Sequence, residues 1–228
     1  MSKSAVFLQV RLSSRRLPEK ALLPLAGKAV ISHAMEALAT LPVQIRAILT
    51  DEVSAPRLQA LADAAGYALF SGDPHDVLAR YCAAARHFAV DTLIRATGDN
   101  PLVSAAIARQ AMQLQNVTGA DYAGITDTPY GTGVEVVQAT ALHDLEQHTQ
   151  DPYHREHVTP GIYQDPQRYA VVTRPAATMV RFPSMRVTLD TPQDYHYLSG
   201  LFDELYRGDP LELPEVIAYG HRQHRTSA

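Results

Sequence analysis

Residues 5–20 read AVFLQVRLSSRRLPEK, an apolar run that passes directly into a basic segment. The run Ala5–Val10 has the length and composition of a buried strand. The segment after it has no helical period and reaches a proline at Pro18, so we expect a loop that leaves the end of this strand. Its cations are Arg11, Arg15, Arg16 and Lys20. Ligands of open α/β sheets bind at such loops, so this one predicts an anion site, in particular for a phosphate chain.

Short apolar runs and amphipathic segments alternate through the first half of the chain. The predicted strands are Ala5–Val10, Ile45–Leu49, Tyr67–Phe70 and Thr92–Ala96. The predicted helices are Val30–Leu41, Ala55–Ala65, His75–Phe88 and Ala105–Gln115. This order predicts an α/β fold with a Rossmann-like, mainly parallel sheet that carries helices on both faces. Functional side chains are then expected in the loops at the carboxyl ends of the strands.

The alternation is less regular after Asn116. The second half is expected to contain strands at Tyr130–Val137, Tyr169–Thr173 and Met185–Leu189 and helices at Tyr153–Tyr163, Gln193–Tyr206 and Leu211–His224. This half is expected to supply a small β-ribbon and a lid on the substrate side, or a dimer contact. The length predicts one domain over residues 1–228.

Composition narrows the class of protein. Hydrophobic residues make up 46% of the chain and charged residues 19%, as in ordinary globular proteins and unlike disordered ones. A formal net charge of -4 argues against a general nucleic-acid-binding surface. The N-terminal sequence MSKSAVFLQV lacks the apolar core of a signal peptide, and no apolar run approaches the roughly 18 residues that cross a membrane. We therefore expect a cytoplasmic protein without a membrane partner.

Cysteine and histidine do not predict a metal centre. The single cysteine, Cys82, has no partner for an internal disulfide and lies in the apolar register of a predicted helix, so it is expected to be a small buried hydrophobe. Ten histidines are present, but His154 and His157 have no third ligand at a fixed spacing, as zinc sites require. Scattered surface histidines are the favoured interpretation.

Two aspartates follow predicted strands far apart in the chain. Asp99 lies in LIRATGDNPL, residues 93–102, and Asp190 lies in MRVTLDTP, residues 185–192. Either segment alone is more typical of a turn or a helix cap, the role we expect for Asp194. Together, two carboxylates at strand ends can hold one Mg²⁺ and leave positions for water and phosphate. Such an ion offsets phosphate charge and orients an in-line attack.

The basic loop and both acidic segments resemble the sugar-nucleotide cytidylyltransferases, in particular the spore-coat polysaccharide type, with the KDO and acylneuraminate enzymes as more distant relatives. The loop positions that match this family's signature are Arg11, Ser14, Arg16, Leu17, Pro18 and Lys20. Asp99 and Asp190 match the family's magnesium ligands in T-G-D-x-P-L and V-D-T-P-x-D. The resemblance covers most of the chain, from about Val6 to Tyr197.

This resemblance implies an Mg²⁺-dependent enzyme that transfers CMP from CTP to an acidic or phosphorylated sugar or related acceptor and releases pyrophosphate. Such a reaction would serve surface polysaccharide or glycoconjugate biosynthesis, and the enzyme would be a homodimer. The resemblance also implies a nucleotide-binding half at residues 1–118 and an acceptor-binding and dimerisation half at residues 119–228. The implied catalytic residues are Arg11, Lys20, Asp99 and Asp190, with the metal held by Asp99 and Asp190. The implied nucleotide-binding residues are Arg11, Ser14, Arg16, Lys20, Asp76, Arg80 and Asp99.

Three further segments carry the same resemblance. SGDPHDVLARY, residues 71–81, contains Asp76 and Arg80; Asp76 is expected to cap or open the helix, and Arg80 to reach the nucleotide or a partner subunit. Glu135, at the end of GTGVE, is expected near the acceptor, because a glutamate in a strand needs a polar partner if it is buried. Arg155 and His157, in REHVTP, are expected to meet an acidic acceptor, with a capping or dimer role also open.

Two departures from the family pattern leave an alternative open. Ser13 and Glu19 stand where the family usually has glycine, which permits positive φ and close backbone approach. Glu19 also places a negative charge beside the expected phosphate path. A catalytically weak or inactive nucleotide-binding module of the same fold is therefore the second hypothesis. A nucleotide-sugar-dependent glycosyltransferase is the third, and the absence of any Asp-x-Asp in the sequence counts against it.

Overall fold

The computed structural model describes residues 3–226, so the first two and last two residues of the predicted domain lie outside the described residues. The strands are β1 (Ser4–Gln9), β2 (Pro24–Leu25), β3 (Lys28–Ala29), β4 (Ile45–Thr50), β5 (Ala68–Ser71), β6 (Thr92–Thr97), β7 (Tyr122–Thr126), β8 (Glu135–Gln138) and β9 (Val171–Pro175). The helices are α1 (Val30–Ala39), α2 (Ala55–Ala65), α3 (Val77–Phe88), α4 (Ala105–Thr118), α5 (Ala139–His148), α6 (Pro152–His157), α7 (Pro160–Tyr163), α8 (Pro192–Leu205) and α9 (Leu213–Thr226).

Seven of these strands form one sheet in the order β5-β4-β1-β6-β8-β7-β9. Strand β8 runs antiparallel to β6 and β7, and every other pairing in this sheet is parallel. The mainly parallel α/β architecture predicted from the sequence is confirmed. Parallel pairing of β1 with β4 and β6 also brings the carboxyl ends of these strands to one edge, where a ligand site is expected.

Both faces of the sheet are covered by helices, because the central strand buries side chains in both directions. Val6 and Leu8 of β1 pack into a core with α1, α2 and α4, whereas Ala5 and Phe7 pack into a second core with α3 and α5. All four side chains are fully buried. A continuous apolar run such as residues 5–8 is typical of a strand covered on both faces.

A third core joins the end of the chain to its beginning. Helices α8 and α9 pack with Leu25 of β2 and with Val187 and Leu189 of the extended segment before α8. This packing places Asp190, the next residue after Leu189, close to the loop that follows β1. None of the helices in the described part of the chain is long and apolar enough to cross a membrane.

The second half differs from the prediction in several elements. Strand β7 and helix α5 were not predicted, and the strand expected over Tyr130–Val137 is restricted to β8. The two-stranded ribbon of the described residues, β2 with β3, lies in the first half of the chain and not in the second. The prediction of a strand over Met185–Leu189 is wrong. This segment forms a single bridge, between Arg186 and Tyr130, because its alternating apolar side chains pack on α8 and α9 and no neighbouring strand continues the ladder.

The helix predicted over Tyr153–Tyr163 is two helices, α6 and α7, separated by Val158 and Thr159. Val158 has φ 71° and ψ −75°, so the helical backbone cannot continue through it. Pro160 then opens α7, where its missing N–H costs nothing.

Candidate active site

A cleft of about 840 Å³ opens at the carboxyl ends of β1 and β6. Its lining comes from both halves of the chain. The predicted site residues that line it are Arg11, Ser14, Arg16, Lys20, Asp99, Glu135, His157 and Asp190. Asp76, Arg80 and Arg155 are not among its lining residues.

Lys20 joins the two predicted metal ligands. Its Nζ lies 2.5 Å from Asp99 Oδ2 and 2.7 Å from Asp190 Oδ1. The exposed fractions of the three side chains are 12% for Lys20, 27% for Asp99 and 18% for Asp190, so the charges are largely withdrawn from water. Burial favours the neutral amine, but the two carboxylates outweigh it and raise the pKa of Lys20. Two acids ninety-one positions apart therefore meet one cation in this structure.

Backbone contacts hold each acid in place. Asp99 follows β6, and its carbonyl accepts a hydrogen bond from Leu189 N at 3.2 Å, which ties the two acidic segments together. Asp194 Oδ2 accepts hydrogen bonds from the backbone N–H groups of Asp190 and Thr191 at 2.9 and 2.8 Å. Thr191 Oγ1 accepts in return from Asp194 N, which completes a capping box at the start of α8. The capping role expected for Asp194 is confirmed.

Two arginines surround Asp190. Arg16 Nη2 lies 3.3 Å from Asp190 Oδ1, and the Arg16 side chain is 68% exposed. Arg186 Nη2 donates to Asp190 Oδ2, and Arg186 Nε lies 3.5 Å from Asp194 Oδ1. Burial by itself would raise the pKa of Asp190, but Lys20, Arg186 and Arg16 outweigh it and lower that pKa. Arg186 was not identified from the sequence.

The rest of the basic loop is held by its own contacts. Arg11 Nη1 donates to Pro74 O at 2.6 Å, and its Nη2 lies 3.8 Å from Glu156 Oε1. Ser14 Oγ accepts from Leu17 N at 3.4 Å, so Ser14 shapes the turn within the loop. The Arg11 guanidinium thereby stays in the cleft lining while it connects the loop to the segment before α3.

Glu19 has a backbone conformation that glycine adopts most easily. Its φ of 54° and ψ of 26° lie in the left-handed region. Its carboxylate pairs with Arg57, whose Nη2 donates to Oε2 at 2.8 Å, and this hydrogen bond lowers the pKa of Glu19. The negative charge that the sequence places beside the phosphate path is therefore offset by a cation outside the cleft lining. Ser13 lines the cleft and has no positive φ.

Glu135 belongs to a charged network at the floor of the cleft. Strands β6 and β8 place it opposite Arg95, and Arg95 Nη1 donates to Glu135 Oε2 at 2.5 Å. Glu135 Oε1 accepts from Tyr122 Oη at 3.1 Å and from Thr159 Oγ1 at 2.7 Å. Burial opposes the charge on Arg95, but Glu135 outweighs it and raises the pKa of that guanidinium. The polar partner that Glu135 requires is therefore Arg95, which the sequence analysis missed because strand register was unknown.

Asp76, Arg80 and Arg155 lie together near the start of α3. Asp76 Oδ1 accepts from Ala79 N at 2.9 Å, so the expected helix cap is confirmed. Arg155 Nε donates to Asp76 Oδ2 at 2.8 Å. Arg80 is buried and donates through Nε and Nη2 to Asp73 O at 3.1 and 2.5 Å. Contacts with nucleotide or acceptor for these three residues stay predictions.

The donor set of the Lys20 cluster fits a magnesium ion. Mg²⁺ prefers oxygen ligands, and Asp99 and Asp190 present one carboxylate oxygen each to a single positive group. Asn100, the next residue after Asp99, also lines the cleft and has a buried Oδ1 without a hydrogen-bond partner. These oxygens could ligate the ion once the ammonium moves away.

A second group of possible metal ligands lies between α3 and α5. Cys82, His143 and Glu146 have ligand atoms within 4.8 Å of one another. The Arg86 guanidinium already occupies this group, since its Nη1 lies 2.8 Å from Glu146 Oε2 and 3.2 Å from His143 Nδ1. Burial raises the pKa of the Cys82 thiol, and its Sγ contacts Leu142 O at 3.4 Å. The expected role of Cys82 as a small buried side chain is confirmed.

Comparison with known proteins identifies the family of this chain. The family model described as cytidylyltransferase matches residues 5–220. Spore coat polysaccharide biosynthesis protein SpsF of Bacillus subtilis is 30% identical over 234 residues, which cover 97% of this chain and 95% of that protein.

Two solved structures share the fold. A cytidylyltransferase from Leptospira borgpetersenii aligns with a TM-score of 0.86 and 24% identity, over 100% of this chain and 96% of that one. CMP:2-keto-3-deoxy-manno-octonic acid synthetase complexed with CTP aligns with a TM-score of 0.71 and 18% identity, over 89% and 99% of the two chains. With the family model spanning nearly the whole sequence, the chain belongs to the cytidylyltransferase family.

Proposed function

We propose that this protein is an Mg²⁺-dependent enzyme that transfers CMP from CTP to a sugar-type acceptor and releases pyrophosphate, for the synthesis of a surface polysaccharide or glycoconjugate. The observation that carries the proposal is the convergence of Lys20, Asp99 and Asp190 in the cleft at the strand ends. The chemistry supported there is phosphoryl transfer, which needs positive charge around phosphate oxygens and one divalent ion.

The basic loop supplies the phosphate contacts. Arg11 and Arg16 offer planar guanidinium groups that bind two phosphate oxygens at once, and Lys20 supplies a movable point charge. These cations stabilise the negative charge that develops on the bridging oxygen as pyrophosphate leaves. Asp99 and Asp190 would hold the magnesium ion, which when bound offsets charge on the α-phosphate.

Pyrophosphate release from CTP and Mg²⁺ with acidic and phosphorylated sugars tests this function. We expect Asp99→Asn and Asp190→Asn to abolish turnover and to leave the circular dichroism spectrum unchanged. Binding of CTP without turnover on any acceptor would instead support the inactive nucleotide-binding module.

A thermal-shift series with all four nucleoside triphosphates tests which base the protein prefers. Only CTP with Mg²⁺ is expected to raise the melting temperature strongly.

The cytoplasmic location and the homodimer are part of the same proposal. Static light scattering of the purified chain measures its molar mass and so checks the homodimer. The mass of a monomer at micromolar concentration would contradict the homodimer. The nucleotide-binding role of residues 1–118 and the acceptor-binding and dimerisation role of residues 119–228 likewise stay predictions.

A further inference from the structure

The two oxygens of the Asp190 carboxylate have different neighbours. Oδ1 is directed to the cleft, where Lys20 Nζ lies 2.7 Å and Arg16 Nη2 lies 3.3 Å from it. Oδ2 accepts a hydrogen bond from Nη2 of Arg186, a residue that does not line the cleft. One oxygen of this predicted metal ligand therefore lies among the cations of the cleft, and the other is bound to an arginine beside it.

The backbone of Arg186 is fixed at the rim of the cleft. Tyr130 N donates to Met185 O, and Val187 N donates to Tyr130 O, both at 2.8 Å. Met185 and Val187 are buried in the third core, so the side chain of Arg186 between them points away from that core. The Arg186 side chain is 43% exposed, and its substitution therefore removes no packing from the core.

Three contacts restrict the guanidinium of Arg186. Its Nη2 donates to Asp190 Oδ2, and its Nε lies 3.5 Å from Asp194 Oδ1. Its Cζ lies 5.1 Å from the centroid of the Tyr130 ring, as in a cation–π contact. A planar group between two acids and a ring has little freedom to rotate, so the direction of its hydrogen bond to Asp190 is defined.

Asp194 connects this arginine with the backbone of the predicted metal ligand. Its Oδ2 accepts hydrogen bonds from the backbone N–H groups of Asp190 and Thr191 at 2.9 and 2.8 Å, while its Oδ1 pairs with Arg186. Asp194 thus holds Asp190 at the main chain, and Arg186 holds it at the carboxylate. These two anchors limit the rotation of the Asp190 carboxylate.

Such an anchor affects which ion a carboxylate can bind. Mg²⁺ requires nearly octahedral coordination, and the two oxygens of one carboxylate lie too close together to fill two corners of a small octahedron. The larger Ca²⁺ accepts more ligands in flexible arrangements and also binds both oxygens of one carboxylate. Loss of a hydrogen bond that orients a metal ligand typically lowers metal affinity by about 10- to 100-fold.

We propose that Arg186 is a positioning residue of the proposed magnesium site: it holds Asp190 Oδ2, so that Oδ1 alone binds the ion, and thereby favours Mg²⁺ over Ca²⁺. This inference rests on the proposed CMP transfer and names a determinant of its metal specificity. The positive charge of Arg186 by itself repels both divalent ions alike. A preference for the smaller ion therefore comes from the orientation of the carboxylate and not from charge.

Ion binding without nucleotide tests this inference. The variants are made in the background Lys20→Met, in which the ammonium no longer lies between the two acids. Mn²⁺ replaces Mg²⁺ as the octahedral probe in electron paramagnetic resonance titrations, and Ca²⁺ is measured by competition. We expect Arg186→Gln to weaken Mn²⁺ binding about 10-fold and to leave Ca²⁺ binding unchanged or tighter, because Asp190 can then offer both oxygens. Arg186→Lys keeps a donor for Oδ2 and is expected to retain most of the Mn²⁺ affinity.

Arg16→Gln is the matched control, because it removes a cation from the other oxygen of Asp190. It is expected to strengthen the binding of both ions by a similar factor, since only charge is lost. Parallel changes of the two ions in Arg186→Gln would overturn the inference. Tighter binding of both would mean that Arg186 acts through its charge, and weaker binding of both that its loss loosens the segment before α8.

Two further results separate this inference from the function on which it rests. Absence of Mn²⁺ binding in Lys20→Met, or binding that persists when Asp190→Asn is added, contradicts the proposed metal site itself. In the pyrophosphate assay, Arg186→Gln is expected to raise the Mg²⁺ concentration for half-maximal turnover about 10-fold, with kcat at saturating Mg²⁺ within about 3-fold of the wild type. A loss of kcat that excess Mg²⁺ does not restore would place Arg186 in the reaction itself and contradict the positioning role.

Discussion

At the scale of single residues, Lys20 is the group on which the site depends. Its ammonium lies between the two acids that are proposed to bind magnesium. A divalent ion and this ammonium cannot occupy the same space between the carboxylates. Metal binding therefore requires Lys20 to move, and a bound phosphate chain offers it a new negative partner.

Replacement of Lys20 tests this competition. Lys20→Met leaves Asp99 and Asp190 without their shared cation, so their mutual repulsion favours an added divalent ion. We expect the nucleotide-free variant to bind Mn²⁺ about 10-fold more tightly than the wild type, measured by electron paramagnetic resonance titration, while its affinity for CTP falls. Lys28→Met, which breaks the pair with Glu36, is the control. Unchanged Mn²⁺ affinity in Lys20→Met would show that the ammonium does not compete.

Glu19 gives a second prediction at this scale. Glu19→Gly and Glu19→Ala both lose the pair with Arg57, but only glycine relieves the left-handed backbone. We expect Glu19→Gly to be more stable than Glu19→Ala by about 1 kcal/mol in urea unfolding. Equal stabilities would mean that the loop relaxes to another conformation when the pair is removed.

At the scale of the elements, one rim of the cleft depends on a close backbone contact. The segment around Gly131 crosses the segment before α8 at the bridge between Tyr130 and Arg186. Gly131 has φ 103°, and a Cβ at this position would lie 2.8 Å from Thr188 N. No side chain fits between these two backbones.

Alanine substitutions measure that contact. We expect Gly131→Ala to lower the free energy of unfolding by about 3 kcal/mol, through both backbone strain and the collision with Thr188. Gly208→Ala is the control, because Gly208 has φ 112° with nothing near its Cβ position, and a cost of about 1 kcal/mol is expected. Equal costs in urea unfolding would show that the two segments separate easily.

The elements also show what could be predicted from the sequence. The first half has long periodic segments, and the helices and strands predicted there lie within a few residues of their predicted bounds, whereas the two-residue strands β2 and β3 were not predicted. Strand β7 is short and contains Gly124, so its pattern is weak. Residues 185–189 have the alternation of a strand, with Met185, Val187 and Leu189 buried, but they pack against helices. A period-2 pattern predicts an extended backbone and not the partner that completes a sheet.

The candidate site, too, could be predicted from the sequence only in part. Asp99 and Asp190 were predicted to meet because each follows an extended apolar segment, and the structure brings them to one ammonium. Arg95 and Arg186 were missed. The partner of Arg95 depends on the register of β6 with β8, and that of Arg186 depends on the path of the chain before α8. Such contacts follow from tertiary geometry and leave no local pattern.

At the scale of the whole molecule, the third core connects the C-terminal helices to the site. Val216 of α9 is fully buried in that core together with Val187 and Leu189, which precede Asp190. The site is therefore supported by packing from an element that does not line the cleft. Loosening of this core should act first on residues 185–190.

Two matched core substitutions test this support. Val216→Ala, in the third core, and Val137→Ala, in the core with α3 and α5, both truncate fully buried valines. We expect each to cost about 1–3 kcal/mol of stability. Hydrogen exchange of the amides at 185–190 should accelerate in Val216→Ala alone. Equal acceleration in both variants would show that the molecule loosens as one unit.

The separation of Lys20 from Asp190 by 170 positions also matters during synthesis on the ribosome. All nine strands of residues 3–226 precede Asp190 in the chain, so a nascent polypeptide that stops at about residue 180 already contains every described strand of the sheet. Such a truncated product carries the basic loop and Asp99 but lacks the second acid. The proposed cation site is therefore complete only after translation has passed the last strand, and premature termination yields a protein without it.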